Sequence, residues 1–106
     1  MTTFDEREQA FENKFKHDEE LLFRINARRA KLAGLWAAGL LGLSGEDAAA
    51  YAKQIVTVDF EEPGHKDIVR RLLADFRAKG VDMSEHRIEK ELNDLLETAR
   101  QQIQSA

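Results

Sequence analysis

A helical repeat that almost nothing interrupts is what most constrains this chain. Apolar residues recur at spacings of three and four along its length, and the single proline, Pro63, stands in a turn. The longest β-branched run, Ile55 to Val58, is too short and too isolated to found a sheet. Helix is expected throughout.

Turn residues cut the repeat into pieces. Leu22, Ile25, Leu32, Trp36 and Leu40 continue one helix, which Gly42 closes. Ser44 with Asp47 approximates a capping box ahead of a second helix. That helix carries Ala48, Ala49, Tyr51, Ala52, Ile55 and Val56, a face small enough to admit a close neighbour. The run Phe60-Glu61-Glu62-Pro63-Gly64 marks its end. Ile68, Val69, Leu72, Leu73 and Phe76 define a third helix, stopped by Gly80. A fourth, capped by Ser84 or by Asp82 with Glu85, shows Ile88, Leu92, Leu95, Leu96, Ala99 and Ile103. Helices at about 20–41, 45–60, 65–79 and 84–104 with short connections predict an all-α four-helix bundle over residues 20–106, one domain in a chain of 106 residues.

Residues 1–20 stand apart from that pattern. They carry Phe4, Phe11 and Phe15 at helical spacing, with only Ala10 apolar between them, and hold seven acids against three bases. The remainder is balanced at 13 acids and 13 bases, so the whole formal charge of −4 resides at this end. An acidic end suits nucleic acid poorly, since affinity there comes from neutralising phosphates, and suits a protein partner better. Three phenylalanines do not offset the entropy of ordering so long a segment alone. Residues 1–19 are therefore expected to form an amphipathic, mobile or partly helical segment until they dock on this bundle or on another protein. Positions 4, 11, 15, 22 and 25 keep a heptad-like register, so a fifth helix or a continuation of the long helix stands beside docking on a partner.

Chemistry is sparse. There is no glycine-rich phosphate loop, nucleophile elbow or zinc-protease motif, and His17, His65 and His86 are scattered among charges. Glu61 and Glu62 sit in a turn, where solvation explains them better than acid and base roles. Without cysteine there are no disulfides and no thiolate ligands. No catalysis, cofactor or metal is expected. The apolar stretch Leu32 to Leu43 falls short of the ~20 residues a membrane-spanning helix needs. An acidic start with no apolar run behind it is not a secretory signal, so a cytoplasmic location without membrane insertion is expected.

Two groups rise above this background. Arg24, Arg28, Arg29 and Lys31 form a basic cluster, read either as surface ion pairs or as an anion site for phosphate, nucleotide or an acidic patch. Trp36, among Gly34, Leu35, Ala37 and Ala38, is either a core anchor or a stacking or interface residue. Together, Arg24, Arg28, Arg29 and Trp36 support an alternative function, a nucleotide- or phosphate-binding regulatory bundle that senses ADP or ATP. A purely structural adaptor is a further alternative, and a nucleic-acid-binding domain is disfavoured by the charge balance.

The runs Phe4-Asp5-Glu6-Arg7-Glu8-Gln9-Ala10-Phe11-Glu12-Asn13-Lys14-Phe15, Asp18-Glu19-Glu20-Leu21 and Gly34-Leu35-Trp36-Ala37-Ala38 resemble the zeta-subunit family of the alphaproteobacterial F-type ATP synthase. Leu41-Gly42-Leu43, Tyr51-Ala52 and Asp59-Phe60-Glu61-Glu62-Pro63-Gly64 extend the likeness over essentially the whole chain. Ala30, Ala33 and Gly39 depart from it, standing where Asn, Leu and Glu are commoner. The resemblance implies a protein inhibitor that binds the catalytic head of the ATP synthase, at its alpha, beta and gamma subunits on the cytoplasmic side of the membrane. It implies that residues 1–19 enter as a helix between catalytic subunits near the rotor and block ATP hydrolysis, while a four-helix bundle anchors them. Carried over by position, the inhibitory residues are Phe4, Asp5, Arg7, Glu8, Phe11, Glu12, Lys14 and Phe15.

Overall fold

The computed structural model describes residues 3–61 and 64–105, with side chains from residue 17 onward. Four helices make up the described chain: α1 (Thr3–Leu40), α2 (Gly45–Glu61), α3 (His65–Lys79) and α4 (Glu85–Gln104). No strand occurs among the described residues. The fold is the all-α four-helix bundle that the spacing predicts. Of the two forms expected for the opening segment, the described backbone takes the helical one from Thr3 onward, as part of a 38-residue α1. Residues 3 to 33 contain neither glycine nor proline and are rich in Glu, Lys, Arg and Ala. Those are good helix formers, so no local signal halts the helix near residue 20.

α1 packs along α2 and α4, and α3 completes the ring by touching α2 and α4. Identical chemistry closes α1 and α3. Gly42 and Gly80 adopt φ of 83° and 76°, a left-handed conformation that glycine enters without steric penalty. The next amide reaches back to an otherwise unsatisfied carbonyl: Leu43 N–H donates to Ala38 at 2.8 Å and Val81 N–H to Phe76 at 2.8 Å. Leu43 and Val81 then pack against the core. α4 opens on Ser84, whose hydroxyl oxygen accepts from the Arg87 N–H at 3.1 Å.

The core holds Ile55, Ile68, Leu72, Phe76, Ile88 and Leu92, all fully buried. α1 contributes Ala30, Ala33, Ala37 and Ala38, together with Ile25, and Leu41 follows in the turn after it, whereas Leu22 and Leu40 of the apolar repeat are exposed. The cause is the approach of α2. A Cβ placed on Gly34 would lie 2.6 Å from the Ala52 Cα, a backbone atom that no rotamer change can remove. Helices this close leave room only for small side chains between them. Trp36 is half-buried at the edge of the same core, its ring meeting Phe76 edge-on at 5.8 Å. Two glycines of one helix should therefore respond oppositely to alanine. Gly34→Ala is expected to destabilise by about 1–3 kcal/mol through overpacking. Gly39→Ala, with open space around its Cβ, should stabilise by roughly 0.5–1 kcal/mol through helix propensity. Urea denaturation of the two variants measures both.

A polar chain ties α2 to α3 at the rim. The Tyr51 hydroxyl donates to Asp75 at 2.6 Å, the Arg71 Nε donates to the same carboxylate at 2.8 Å, and the other arm of Arg71 donates to Gln54 at 2.7 Å. Burial first, and then the bond to Asp75, hold the Tyr51 phenol well above its ordinary value, with Arg71 opposing. The folded chain thus keeps the phenolic proton where the unfolded chain loses it, near pH ~10. Stability from this group is intact below that pH and is lost as pH rises towards the folded value. Tyr51 is the single tyrosine of the sequence, so phenolate absorbance reports it alone. Its titration midpoint should lie clearly above the ordinary value in the native protein and return to it in denaturant. Tyr51→Phe should lose less stability than the wild type between about pH 9 and about pH 11.

Candidate partner-binding site

Successive residues of an α-helix turn by about 100°, so the unbroken α1 places positions 4, 11, 15 and 22 on one narrow face. The same face runs on to Arg29 and to Ala33, which is buried in the core. The phenylalanine positions thus continue the inward-facing side of α1 beyond the bundle. The side chains of Phe4, Asp5, Arg7, Glu8, Phe11, Glu12, Lys14 and Phe15 lie outside those described, and only backbone register places these residues. His17, Asp18, Glu19 and Glu20 are exposed, and Leu21 is the first described residue of α1 to be half-buried. α2 ends level with Phe23, whose ring meets Phe60 edge-on at 5.0 Å. α1 runs on past that point to Thr3 as an arm of about 30 Å at 1.5 Å per residue.

The root of the arm carries an apolar patch that sequence reasoning missed. Leu22, Phe23 (53% exposed) and Phe60 (58% exposed) stand in solvent there. Open clefts flank Phe23: one of about 390 Å³ lined by Glu19, Glu20, Phe23 and Arg24, the other of about 240 Å³ lined by Phe23, Asn26, Asp59, Phe60 and Gly64. Phe60 reads in the sequence as a turn marker. The available signal was the triplet Leu21-Leu22-Phe23, wider than a single buried stripe requires.

The basic cluster does not converge. Arg24 lines a cleft beside Phe23, and Arg28 donates to Gln102 of α4 at 3.2 Å. Arg29 lies on the side of Asp59 of α2, and its buried Nε has no hydrogen-bond partner among the described residues. Trp36 faces Phe76 of α3. Arg28 and Arg29, adjacent in sequence, diverge by about 100° and turn to different helices. His17, His65 and His86 are exposed on three different helices. No described helix is long and apolar enough to cross a membrane.

An all-α bundle with one helix prolonged into an amphipathic arm is the class of molecule these observations define. The chain belongs to the family of ATPase inhibitor zeta subunits, whose profile matches residues 1–102. A protein known from a solution NMR structure is 41% identical and superposes with a TM-score of 0.69, over 78% of this chain and 94% of its own. No functionally curated protein matches.

At the root of the arm, Arg29 and Asp59 form a partly buried pair of opposite charges. Burial lowers the Arg29 guanidinium below its ordinary value, with Asp59 opposing, and burial raises the Asp59 carboxyl, with Arg29 opposing. The folded chain therefore binds the Asp59 proton more tightly than the unfolded one. Its contribution to stability is present below the unfolded value of about 3.9 and is lost as pH rises through the folded value. Asp59→Asn should match the wild type in denaturant midpoint at about pH 3 and exceed it at about pH 7. Equal midpoints at both pH values would contradict this account.

Proposed function

We propose that this chain inhibits ATP hydrolysis by an F-type ATP synthase, with residues 1–19 entering as a helix between catalytic subunits near the rotor. The observation that carries the reading is the continuity of α1 from Thr3 to Leu40. It makes the arm an extension of a helix that the bundle core already holds at Ala30, Ala33, Ala37 and Ala38. Membership of the zeta family supports ATPase inhibition as the activity. The partner is the catalytic head, at its alpha, beta and gamma subunits, on the cytoplasmic side of the membrane.

The mechanism is a steric block. Phe4, Phe11 and Phe15 share one face of the arm by register and supply the apolar contact, each contributing roughly 1.5–3 kcal/mol if fully buried on the partner. Asp5, Arg7, Glu8, Glu12 and Lys14 flank that face and fix orientation through paired charges. A segment already helical at its root has less conformational entropy to lose on docking than a free peptide. The bundle stays outside the cleft as the stop that sets how far the arm enters.

Phe11→Ala combined with Phe15→Ala should raise the concentration needed for half-inhibition of ATP hydrolysis by more than about tenfold. The bundle's melting temperature should change little, and a large loss of stability would instead assign the seam to packing within the chain. A chain lacking residues 1–19 should not inhibit. Equal inhibition by that chain and the full-length protein would remove the arm from the mechanism.

A further inference from the structure

We infer that Leu22, Phe23 and Phe60 form a second contact surface for the same partner, one that receives an apolar side chain flanked by lysine or arginine. The inference rests on the reading of the arm as the inhibitory element. Three observations carry it.

The first is exposure without a structural reason. Five large hydrophobic residues are exposed among the described ones, and Leu22, Phe23 and Phe60 gather at one end of the α1–α2 pair while Leu35 and Leu40 lie towards the other. Phe23 and Phe60 touch edge-on at 5.0 Å yet are each more than half exposed, which leaves aromatic surface presented outward. Buried aromatic anchors of this kind dominate protein interfaces. The second is continuity. Position 22 belongs to the face that holds positions 4, 11 and 15, and Phe23, one residue on, turns about 100° from it towards Phe60 where the arm meets the bundle, so a partner that grips the arm there is within reach of both.

The third is charge. Glu19 and Glu20 line one cleft beside Phe23, together with Arg24, and Asp59 lines the other. Glu61 follows Phe60 and is exposed. An apolar centre with a mainly acidic rim selects an apolar centre with a cationic rim. Each cleft is lined by only four or five residues, and neither Arg28 nor Arg29 joins Arg24 in lining one, which leaves little to hold a small molecule.

The test measures inhibition of ATP hydrolysis and dissociation kinetics on a purified F-type ATP synthase, using the full-length chain throughout. Phe23→Ala combined with Phe60→Ala should raise the half-inhibitory concentration by about tenfold, mainly through faster dissociation. Phe60→Gln alone, at the more exposed ring, should act in the same direction and guards against a double variant that fails to fold. Glu19→Gln with Glu20→Gln should slow association and reduce its dependence on salt. Leu35→Ala with Leu40→Ala should leave both readouts unchanged. Wild-type potency in the phenylalanine variants, with the parent protein inhibiting, overturns this inference alone. A parent protein that neither binds nor inhibits overturns the proposed function with it. If the phenylalanine variants dissociate a homodimer in sedimentation without altering inhibition, a second copy covers the patch and the inference is wrong.

Discussion

The approach of Gly34 to Ala52 is the contact on which the rest of the structure depends. At that point α1 and α2 are so close that a single Cβ would collide with backbone. The consequence spreads along α1, where the buried side chains nearest Gly34 are those of Ala30, Ala33, Ala37 and Ala38. Volume for the core must then come from elsewhere, and α3 and α4 supply most of it with Ile68, Leu72, Phe76, Ile88 and Leu92. Close packing of this kind is stiff and tolerates small changes in volume poorly. It gives the arm a rigid footing.

Elements set by local chemistry were legible in the sequence. Gly42 and Gly80 close helices because a left-handed residue suits glycine, and Ser84 opens one because a hydroxyl can accept from an amide three residues on. The buried face of α1 was less legible, since Leu22, Trp36 and Leu40 outweigh alanines in any hydrophobic pattern. The signal was present as Ala30, Gly34 and Ala38, small residues four apart, but its meaning depends on Ala52 in another helix. Adjacency misled in the basic cluster, where Arg28 and Arg29 turn to α4 and α2. The arm itself could be read from charge and phenylalanine spacing. Its apolar root could not, because Phe23 and Phe60 meet only after folding.

Satisfaction of polar groups differs between the two ends of the α1–α2 pair. Between α2 and α3, Tyr51, Asp75, Arg71 and Gln54 form a linked chain of bonds in which each charged group has a partner. At the root of the arm, the Arg29 Nε is buried without a bond to any of the described residues, and the Asp59 carboxyl is held above its ordinary value by burial. Charges partly withdrawn from water in this way weaken a fold whose net stability is small. The same end exposes two aromatic rings. Stability is thus least optimised where α1 leaves the bundle.

The unbroken course of α1 also decides how the molecule bears load. No glycine or proline between residues 3 and 33 offers a hinge, and the helix passes directly from the arm to the Gly34–Ala52 contact. A pull along the arm therefore slides α1 lengthwise against α2 and α4, straining many contacts at once, instead of peeling one turn away at a time. Tension on the arm meets the bundle in shear, the direction in which packed helices yield last.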